Sequence, residues 1–202
     1  MLVNHWKVIE GGWSKIKRKA IFLDRDGTIN KDTGFIKNEN EIELLPGAAD
    51  AIRKINELGY LAIIITNQAV VARGEVTIEG LNIIHNKLRS CLEVFGAHID
   101  DIYYCPHYPE KGFIGERKEY KIVCKCRKPQ PGLILQAVKD YDIDVANSWM
   151  VGDSIRDIMA GESAGCNTAL LCQNGIGDSG DYKLLVDFVN SVLDKNNKLR
   201  CK

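Results

Sequence analysis

The most constraining feature of the chain is a short apolar run that ends in two carboxylates. Residues Ala20 to Leu23 are all apolar, Asp24 and Asp26 follow directly, and Gly27 comes next. A continuous apolar run of this length, closed by a turn residue, is typical of a strand that is buried on both faces. In an open α/β sheet, ligands bind just beyond the carboxyl ends of the strands. The sequence therefore predicts a buried strand with a functional site at its end.

Strand-like and helix-like segments alternate about five times along the rest of the chain. Further strand-like runs lie at 61–65, 99–104, 149–151 and 168–172. Thr77 and Ser154 are placed to cap two of the intervening helices. Such alternation predicts an α/β fold, a Rossmann-like parallel sheet with helices on both faces. A loop with Gly175, Gly177 and Gly180 then leads to a last amphipathic helix.

The chain has 202 residues, of which 45% are hydrophobic, and this suits one domain with a sizeable core. We expect an N-terminal arm at 1–19 and a single domain at 20–202. The arm carries Trp6 and Trp13. It either packs these side chains on the domain or serves as a partner-binding segment.

Charge and hydropathy limit the partners of the chain. The formal net charge is zero, so no global field attracts the protein to nucleic acid or to a membrane. No apolar segment reaches the length of a membrane span, and polar residues interrupt the N-terminal stretch where a signal peptide would need an apolar core. We expect a cytoplasmic monomer that acts on a small molecule, with neither nucleic acid nor membrane as a partner.

Polar side chains recur where three of the predicted strands end. They are Asp24 and Asp26, Thr66 and Asn67, and Asp153 and Asp157. A parallel sheet brings these ends together along one edge, which creates an oxygen-rich pocket that suits Mg²⁺ and a substrate phosphate. The alternative is a solvated acidic edge on a protein without catalytic activity.

These motifs resemble, in the same order, those of the haloacid-dehalogenase (HAD) superfamily, whose members are mostly phosphatases. The resemblance implies that Asp24 is the nucleophile and Asp26 the general acid and base, assisted by Thr66 and Lys128. It also implies a Mg²⁺ site formed by Asp24, Asp26 and Asp153. The likeness extends from residue 20 to about residue 172.

Two cysteine-bearing pairs form a second candidate site. Cys105 and His107 are two residues apart, as are Cys124 and Cys126, so both members of each pair point the same way in an extended chain. Together they supply the Cys₃His ligands of a closed structural zinc site. The alternative is a set of ordinary reduced thiols with an exposed histidine. We expect a small zinc-binding loop at about 105–126 in place of a large cap, because the interval between Asp26 and Thr66 is short.

Several shorter motifs resemble one branch of the superfamily, the D-glycero-D-manno-heptose-1,7-bisphosphate 7-phosphatases. They include Ala72-Arg73-Gly74, Tyr104-Cys105-Pro106-His107 and Cys126-Arg127-Lys128-Pro129. The resemblance implies removal of the C7 phosphate through an aspartyl-phosphate, with Mg²⁺ and Zn²⁺ as cofactors. Alternatives are a histidinol-phosphate phosphatase, another small sugar-phosphate phosphatase, and a non-catalytic binding module stapled by zinc.

The same resemblance implies a set of substrate-binding residues. They are Asp32, Phe35, Thr66, Asn67, Gln68, Arg127 and Lys128. Arg127 either holds a second anionic or hydroxyl-rich part of the ligand or forms a surface salt bridge. Ala69 and Val70 stand where this branch has Ser and Gly, so the chain lacks one hydroxyl that would reach the substrate.

Overall fold

A five-stranded parallel sheet forms the centre of the protein in a computed structural model that describes residues 6–9, 12–15, 17–172 and 181–193. The strands are β1 (Trp6–Ile9), β2 (Gly12–Lys15), β3 (Ala20–Leu23), β4 (Leu61–Asn67), β5 (Asp101–Cys105), β6 (Trp149–Gly152) and β7 (Asn167–Leu170). The order across the large sheet is β5-β4-β3-β6-β7, and each neighbouring pair is parallel. This confirms the predicted α/β fold.

The apolar run Ala20–Leu23 forms β3, the central strand of the sheet. Chain order runs outward from β3 through β4 to β5, then returns to the other side of β3 with β6 and β7. The order therefore reverses between β3 and β6, and a crevice forms at such a switch point, outside the carboxyl ends of the strands. Asp24 follows β3 and Asp153 follows β6, so these two acids flank the crevice.

Helices cover both faces of the sheet, as predicted. They are α1 (Ala48–Glu57), α2 (Ala69–Ala72), α3 (Ile78–Glu93), α4 (Gly132–Tyr141), α5 (Ile155–Ala164) and α6 (Leu185–Phe188), with 3₁₀ turns at Glu39–Glu41, Lys118–Tyr120 and Val145–Asn147. Thr77 and Ser154 cap α3 and α5 through their hydroxyl oxygens, which confirms both caps. Within the described residues, no helix combines the length and apolarity needed to cross a bilayer.

Alternate residues of β3 enter two separate cores. Ile21 and Leu23 pack with side chains of α1, α3 and α6 on one face. Ala20 and Phe22 pack with side chains of α4 and α5 on the other. All four are fully buried, as the continuous apolar run requires of a strand covered on both sides.

The last helix is less regular than its sequence pattern predicts. The single α-helical turn of α6 continues as a π-helical turn over Val189–Leu193. Phe188 and Leu193 are five residues apart and both are buried. A π-helical turn, with its i→i+5 bonds, brings residues at this spacing to the same face.

The described segments before β4 and after β5 contain no large cap domain that would cover the carboxyl ends of the strands. The segment between β3 and β4 holds one short 3₁₀ turn and α1, and the segment between β5 and α4 is irregular apart from the 3₁₀ turn Lys118–Tyr120. The latter segment carries the Cys and His residues of the predicted zinc loop. The expectation of a small loop in place of a cap is confirmed.

Two predictions about the ends of the chain have different outcomes. In the N-terminal arm, β1 and β2 pair antiparallel as a separate two-stranded sheet, which the sequence argument did not anticipate. The division of the chain at residue 19 stays a prediction. The predicted glycine loop at 175–180 lies outside the described residues.

Helix α5 lies so close to the sheet that only glycine fits at Gly161. A Cβ atom there would lie 2.7 Å from both Met150 Cβ and Thr168 Cγ2. We predict that Gly161→Val lowers the free energy of unfolding by about 1–3 kcal/mol, because overpacking forces the helix away from the strands. Urea denaturation measures this change. Glu162→Val, at an exposed position of the same helix, is the matched control, and equal losses in both variants would contradict the close-packing argument.

Candidate active site

A buried lysine joins the elements that meet at the crevice. The Lys128 ammonium lies 2.8 Å from Asp24 Oδ1 and 2.6 Å from Asp157 Oδ1, and it donates a hydrogen bond of 2.7 Å to the Ile65 carbonyl oxygen. Only 3% of its side chain is exposed. Lys128 thus links the end of β3, the middle of β4 and the first turn of α5, although it belongs to the loop before α4.

The acids around Lys128 outnumber its positive charge. Burial raises the pKa of Asp24 to about 7, with the charge of Asp157 adding to the rise and Lys128 opposing it. Burial and Asp157 likewise raise the pKa of Asp153 to about 6. Burial alone would lower the pKa of Lys128, but Asp24 and Asp157 outweigh it and raise this pKa. The cluster therefore favours an additional cation.

Three carboxylates could hold a metal ion together, those of Asp24, Asp153 and Asp157. Each offers one oxygen, and these oxygens lie within 4.8 Å of one another. Both oxygens of Asp157 already have donors, Lys128 Nζ and, at 3.0 Å, the Ser154 amide. Asp24 and Asp153 are therefore the better placed ligands. A Cβ atom at Gly27, where φ is +75°, would lie 1.8 Å from Asp153 Oδ2, so glycine is needed for this approach.

Asp26 is not among the three carboxylates of that metal group in the described residues, and its predicted role as a Mg²⁺ ligand stays a prediction. Arg25 donates two hydrogen bonds to the Asp26 carboxylate, from Nε to Oδ1 at 3.0 Å and from Nη2 to Oδ2 at 2.8 Å. Asn30 and Gln68 donate two more, at 2.9 and 3.1 Å. Burial alone would raise the pKa of Asp26, but the charge of Arg25 and the hydrogen bonds from Arg25, Asn30 and Gln68 together outweigh it and lower this pKa. The structure thus fixes Asp26 at the edge of the pocket through four donors.

The side chains of two predicted substrate ligands, Gln68 and Asn67, contact other residues of the site, and their binding of substrate stays a prediction. Gln68 is 2% exposed and donates to Asp26 and, at 2.9 Å, to Thr66 Oγ1. Asn67 accepts a hydrogen bond from the Lys128 amide and donates one to the Lys128 carbonyl oxygen, at 3.0 and 3.1 Å. Their amide groups are occupied within the protein, whereas the Thr66 hydroxyl, as an acceptor from Gln68, keeps its proton free to donate into the pocket.

A pocket of about 330 Å³ opens above these residues. The predicted substrate-binding residues that line it are Asp32, Phe35, Thr66, Asn67, Arg127 and Lys128, and Gln68 does not. Tyr108 and Arg156 also line the pocket and were not predicted from the sequence. Asp157 was expected at the end of its strand but without a role. The Ser-x-x-Asp spacing of Ser154 and Asp157 marks a capping box, yet nothing local indicates that the acid also holds Lys128.

The predicted zinc ligands converge. Cys126 Sγ lies 3.2 Å from the sulfur atoms of Cys105 and Cys124, and 3.3 Å from His107 Nδ1. Cys105 and Cys124 are 3.5 Å apart. Four soft donors at these separations match the edges of a small tetrahedron, the geometry of structural zinc sites. Burial raises the pKa of the Cys105 thiol, so a cation is needed to hold it as a thiolate.

Alternating cations and aromatic rings join the loops that wall the pocket. We call this arrangement the cation–aromatic stack, and its members in spatial order are Phe35, Arg73, Phe113, Lys121, Tyr108 and Arg127. The Arg73 guanidinium lies 4.3 Å from the Phe35 ring centroid and 4.2 Å from that of Phe113. At the other end, Arg127 lies 4.9 Å from the Tyr108 centroid. The stack thus connects Phe35, on one wall of the pocket, with Arg127 in the loop that carries the cysteines.

A parallel sheet with paired acids and a buried lysine at its switch point defines a HAD-like hydrolase. The HAD-hydrolase-like family profile matches residues 125–194. The D-glycero-beta-D-manno-heptose-1,7-bisphosphate 7-phosphatase of Haemophilus ducreyi is 38% identical over 179 residues, covering 88% of this chain and 96% of its own. That of Yersinia pestis is 36% identical over 184 residues, covering 91% and 96%.

A solved structure agrees. The D,D-heptose 1,7-bisphosphate phosphatase from B. bronchiseptica, complexed with magnesium and phosphate, has a TM-score of 0.74 and 34% identity, covering 88% of this chain and 99% of its own. The chain therefore belongs to the HAD superfamily, in the family of these heptose-bisphosphate phosphatases.

The second carboxylate partner of Lys128 provides a stability test. We predict that Asp157→Asn lowers the free energy of unfolding by about 1.5–3 kcal/mol, because it removes a charged hydrogen bond from a fully buried ammonium. Urea denaturation gives the value, and Glu162→Gln, exposed on the same helix, controls for the loss of a charge. If the two variants unfold at the same urea concentration, Asp157 contributes nothing to holding Lys128.

Proposed function

We propose that the chain is a Mg²⁺-dependent phosphatase that removes the C7 phosphate of D-glycero-D-manno-heptose 1,7-bisphosphate through an aspartyl-phosphate. The observation that carries this proposal is the buried contact of Lys128 with Asp24 at the switch point of the sheet. The bacterial relatives described above bear the name of this activity over nearly their whole lengths. A histidinol-phosphate phosphatase is the principal alternative.

Asp24 is the proposed nucleophile. Its oxygen attacks phosphorus, the bond from phosphorus to the C7 oxygen breaks, and an acyl-phosphate forms on the carboxylate. The Lys128 ammonium, 2.8 Å from Asp24, lies where charge develops on the phosphoryl oxygens. The Thr66 hydroxyl donates a hydrogen bond to the same group.

Asp26 is the proposed acid and base. It gives a proton to the departing C7 oxygen and later takes one from the water that opens the acyl-phosphate. Its lowered pKa keeps the carboxyl group ionised, so that it can accept a proton in the second role. For the first, the phosphate that enters beside Asp26 brings negative charge, which favours the protonated carboxyl. Arg25 and Gln68 hold Asp26 at the pocket edge between these steps.

Asp24 and Asp153 are the residues that would hold Mg²⁺. Burial and the neighbouring charge of Asp157 raise the pKa values of both carboxyl groups, although Lys128 opposes the rise, so a further cation beside them is favoured. Hard oxygen ligands of this kind suit Mg²⁺. When bound, Mg²⁺ offsets the repulsion between the carboxylate nucleophile and the phosphate. A contribution of Asp26 to this site stays a prediction.

We also propose that Cys105, His107, Cys124 and Cys126 bind a structural Zn²⁺. All four positions are filled by protein, which leaves no open position for chemistry. Thiolates select zinc at this site, whereas the carboxylates select magnesium at the other. The zinc loop leads directly into Arg127 and Lys128, so its role is to hold those side chains at the pocket. The expected cytoplasmic location, monomeric state and lack of macromolecular partners stay predictions.

Loss of one zinc ligand should affect both stability and substrate binding. We predict that Cys124→Ser lowers the zinc content and the melting temperature and raises KM, because a disordered loop releases Arg127. Elemental analysis, thermal denaturation and steady-state kinetics measure these effects. Cys91→Ser, at a cysteine outside the cluster, is the control. A wild-type protein with activity but almost no zinc would refute the zinc site.

The function itself is tested by phosphate release from both anomers of heptose 1,7-bisphosphate and from histidinol phosphate, under identical conditions with Mg²⁺. We predict that the heptose substrates give the higher kcat/KM and that Asp24→Asn abolishes turnover, because an amide cannot form the acyl-phosphate. Circular dichroism checks that the variant is folded. A preference for histidinol phosphate would move the chain to the alternative function, and near-native kcat in Asp24→Asn would rule out the nucleophile.

A further inference from the structure

Two aromatic rings line the pocket, and both belong to the cation–aromatic stack. Among the described residues, these rings are Phe35 and Tyr108. The stack joins them through Arg73, Phe113 and Lys121. Those three side chains are described too, and they lie outside the pocket lining. The two rings that a ligand can reach are therefore connected to each other behind the wall of the pocket.

Arg73 is the member of the stack that connects separate segments of the chain. Its guanidinium lies 4.3 Å from the ring centroid of Phe35, in the loop before α1, and 4.2 Å from that of Phe113, in the loop that carries the cysteines. Arg73 Nε also donates a hydrogen bond of 2.6 Å to Glu75, whose other oxygen pairs with Lys37 at 3.0 Å. A planar guanidinium can pack against rings while its edge donates to a carboxylate.

The backbone on either side of Arg73 contacts the cysteine loop as well. The Arg117 amide donates a hydrogen bond of 3.0 Å to the Ala72 carbonyl oxygen. Gly74 has a φ of +75°, and a Cβ atom there would lie 1.9 Å from the Gly115 carbonyl oxygen. Any side chain at this position would push the two segments apart. The neighbours of Arg73 thus fix the point from which its side chain extends.

The second cation of the stack completes the connection to Tyr108. Only 3% of the Lys121 side chain is exposed, and its ammonium lies 4.7 Å from the Phe113 centroid and 5.2 Å from the Tyr108 centroid. Its carboxylate partner, Glu116, is 3.4 Å away. An ammonium with so little solvent depends on the ring faces for part of its stabilisation. The position of Tyr108 is therefore linked to Arg73 through Lys121 and Phe113.

The rings supply most of the apolar surface of a pocket that is otherwise polar. Most side chains in its described lining carry charged, hydroxyl or amide groups, which suit a phosphate and a metal ion. The apolar surface comes from the rings of Phe35 and Tyr108 and from the methyl group of Ala69. Phe35 is 39% exposed, so part of its ring is accessible to a ligand. Such a surface favours the carbon skeleton of a ligand over its phosphate.

We propose that Arg73 is a positioning residue that determines substrate specificity, because it holds the Phe35 ring as a wall against the carbon chain of the sugar. The inference rests on the proposed function, whose substrate extends from the reacting phosphate as a heptose. Arg73 acts through Phe35 and Phe113 and does not touch the reacting atoms. A phosphate compound with a very short leaving group gains nothing from this wall.

The test compares heptose 1,7-bisphosphate with acetyl phosphate, whose leaving group is only an acetate. We predict that Arg73→Met lowers kcat/KM for the heptose substrate by about tenfold, mainly through KM, as expected for the loss of two cation–π contacts. The kcat/KM for acetyl phosphate stays near the wild-type value. Arg73→Lys keeps a cation beside the rings and restores part of the loss. Arg53→Met, at an exposed arginine of α1 that pairs with Asp50 and Glu57, leaves both values unchanged.

A second variant tests the same link from the other ring. Phe113 contacts Arg73 and lies outside the pocket lining, so Phe113→Leu should reproduce the loss for the heptose substrate alone. Combined with Arg73→Met it should add little, because both changes remove the same contact. Circular dichroism and thermal denaturation check that the variants are folded. If Arg73→Met does not fold, Arg73→Lys and Phe113→Leu decide the question.

The outcomes separate this inference from the proposed function. Folded variants of Arg73 and Phe113 that keep the wild-type ratio of the two kcat/KM values overturn the positioning role and leave the function standing. Equal losses on both substrates also overturn it, because they assign Arg73 a general structural role. A wild-type enzyme that hydrolyses acetyl phosphate but not the heptose bisphosphate refutes the function, and the inference falls with it.

Discussion

The ammonium group of Lys128 is the contact on which the active site depends. It lies between Asp24 and Asp157, below 3 Å from each, and almost no solvent reaches it. Three carboxylates crowd the end of the sheet, and their mutual repulsion would open the crevice without a buried cation. Removal of one partner from a buried ion pair is destabilising, because it leaves an uncompensated buried charge. Lys128 and its two carboxylate partners therefore stabilise one another.

Lys128 is itself positioned from three directions. Asn67, at the end of β4, holds its backbone through both amide atoms. Asp157 approaches from α5, where it also completes the capping box with Ser154. The converging Cys and His side chains lie in the loop before it. The same few residues thus cap a helix, end a strand and position a buried cation, so the fold and the site are built from shared contacts.

The sequence predicts those parts of the protein that local rules determine. Ala20 to Leu23 form a strand buried on both faces because the run is continuously apolar, and Ser154 caps α5 because its hydroxyl lies directly before the first helical residue. The direction of a side chain depends on tertiary contacts. For that reason the sequence does not reveal that the side chains of Asn67 and Gln68 contact Lys128 and Asp26, or that Arg156 lines the pocket.

The cation–aromatic stack has a consequence for the behaviour of the pocket in concentrated salt. Exposed ion pairs weaken as ionic strength rises, because the Debye length falls to about 3 Å at 1 M. A cation that lies directly against a ring face, as Arg73 does between Phe35 and Phe113, leaves little room for mobile ions. The walls of the pocket should therefore keep their shape in concentrated salt. The long-range attraction of a multiply charged ligand is lost under the same conditions, so salt weakens ligand binding without changing the structure of the pocket.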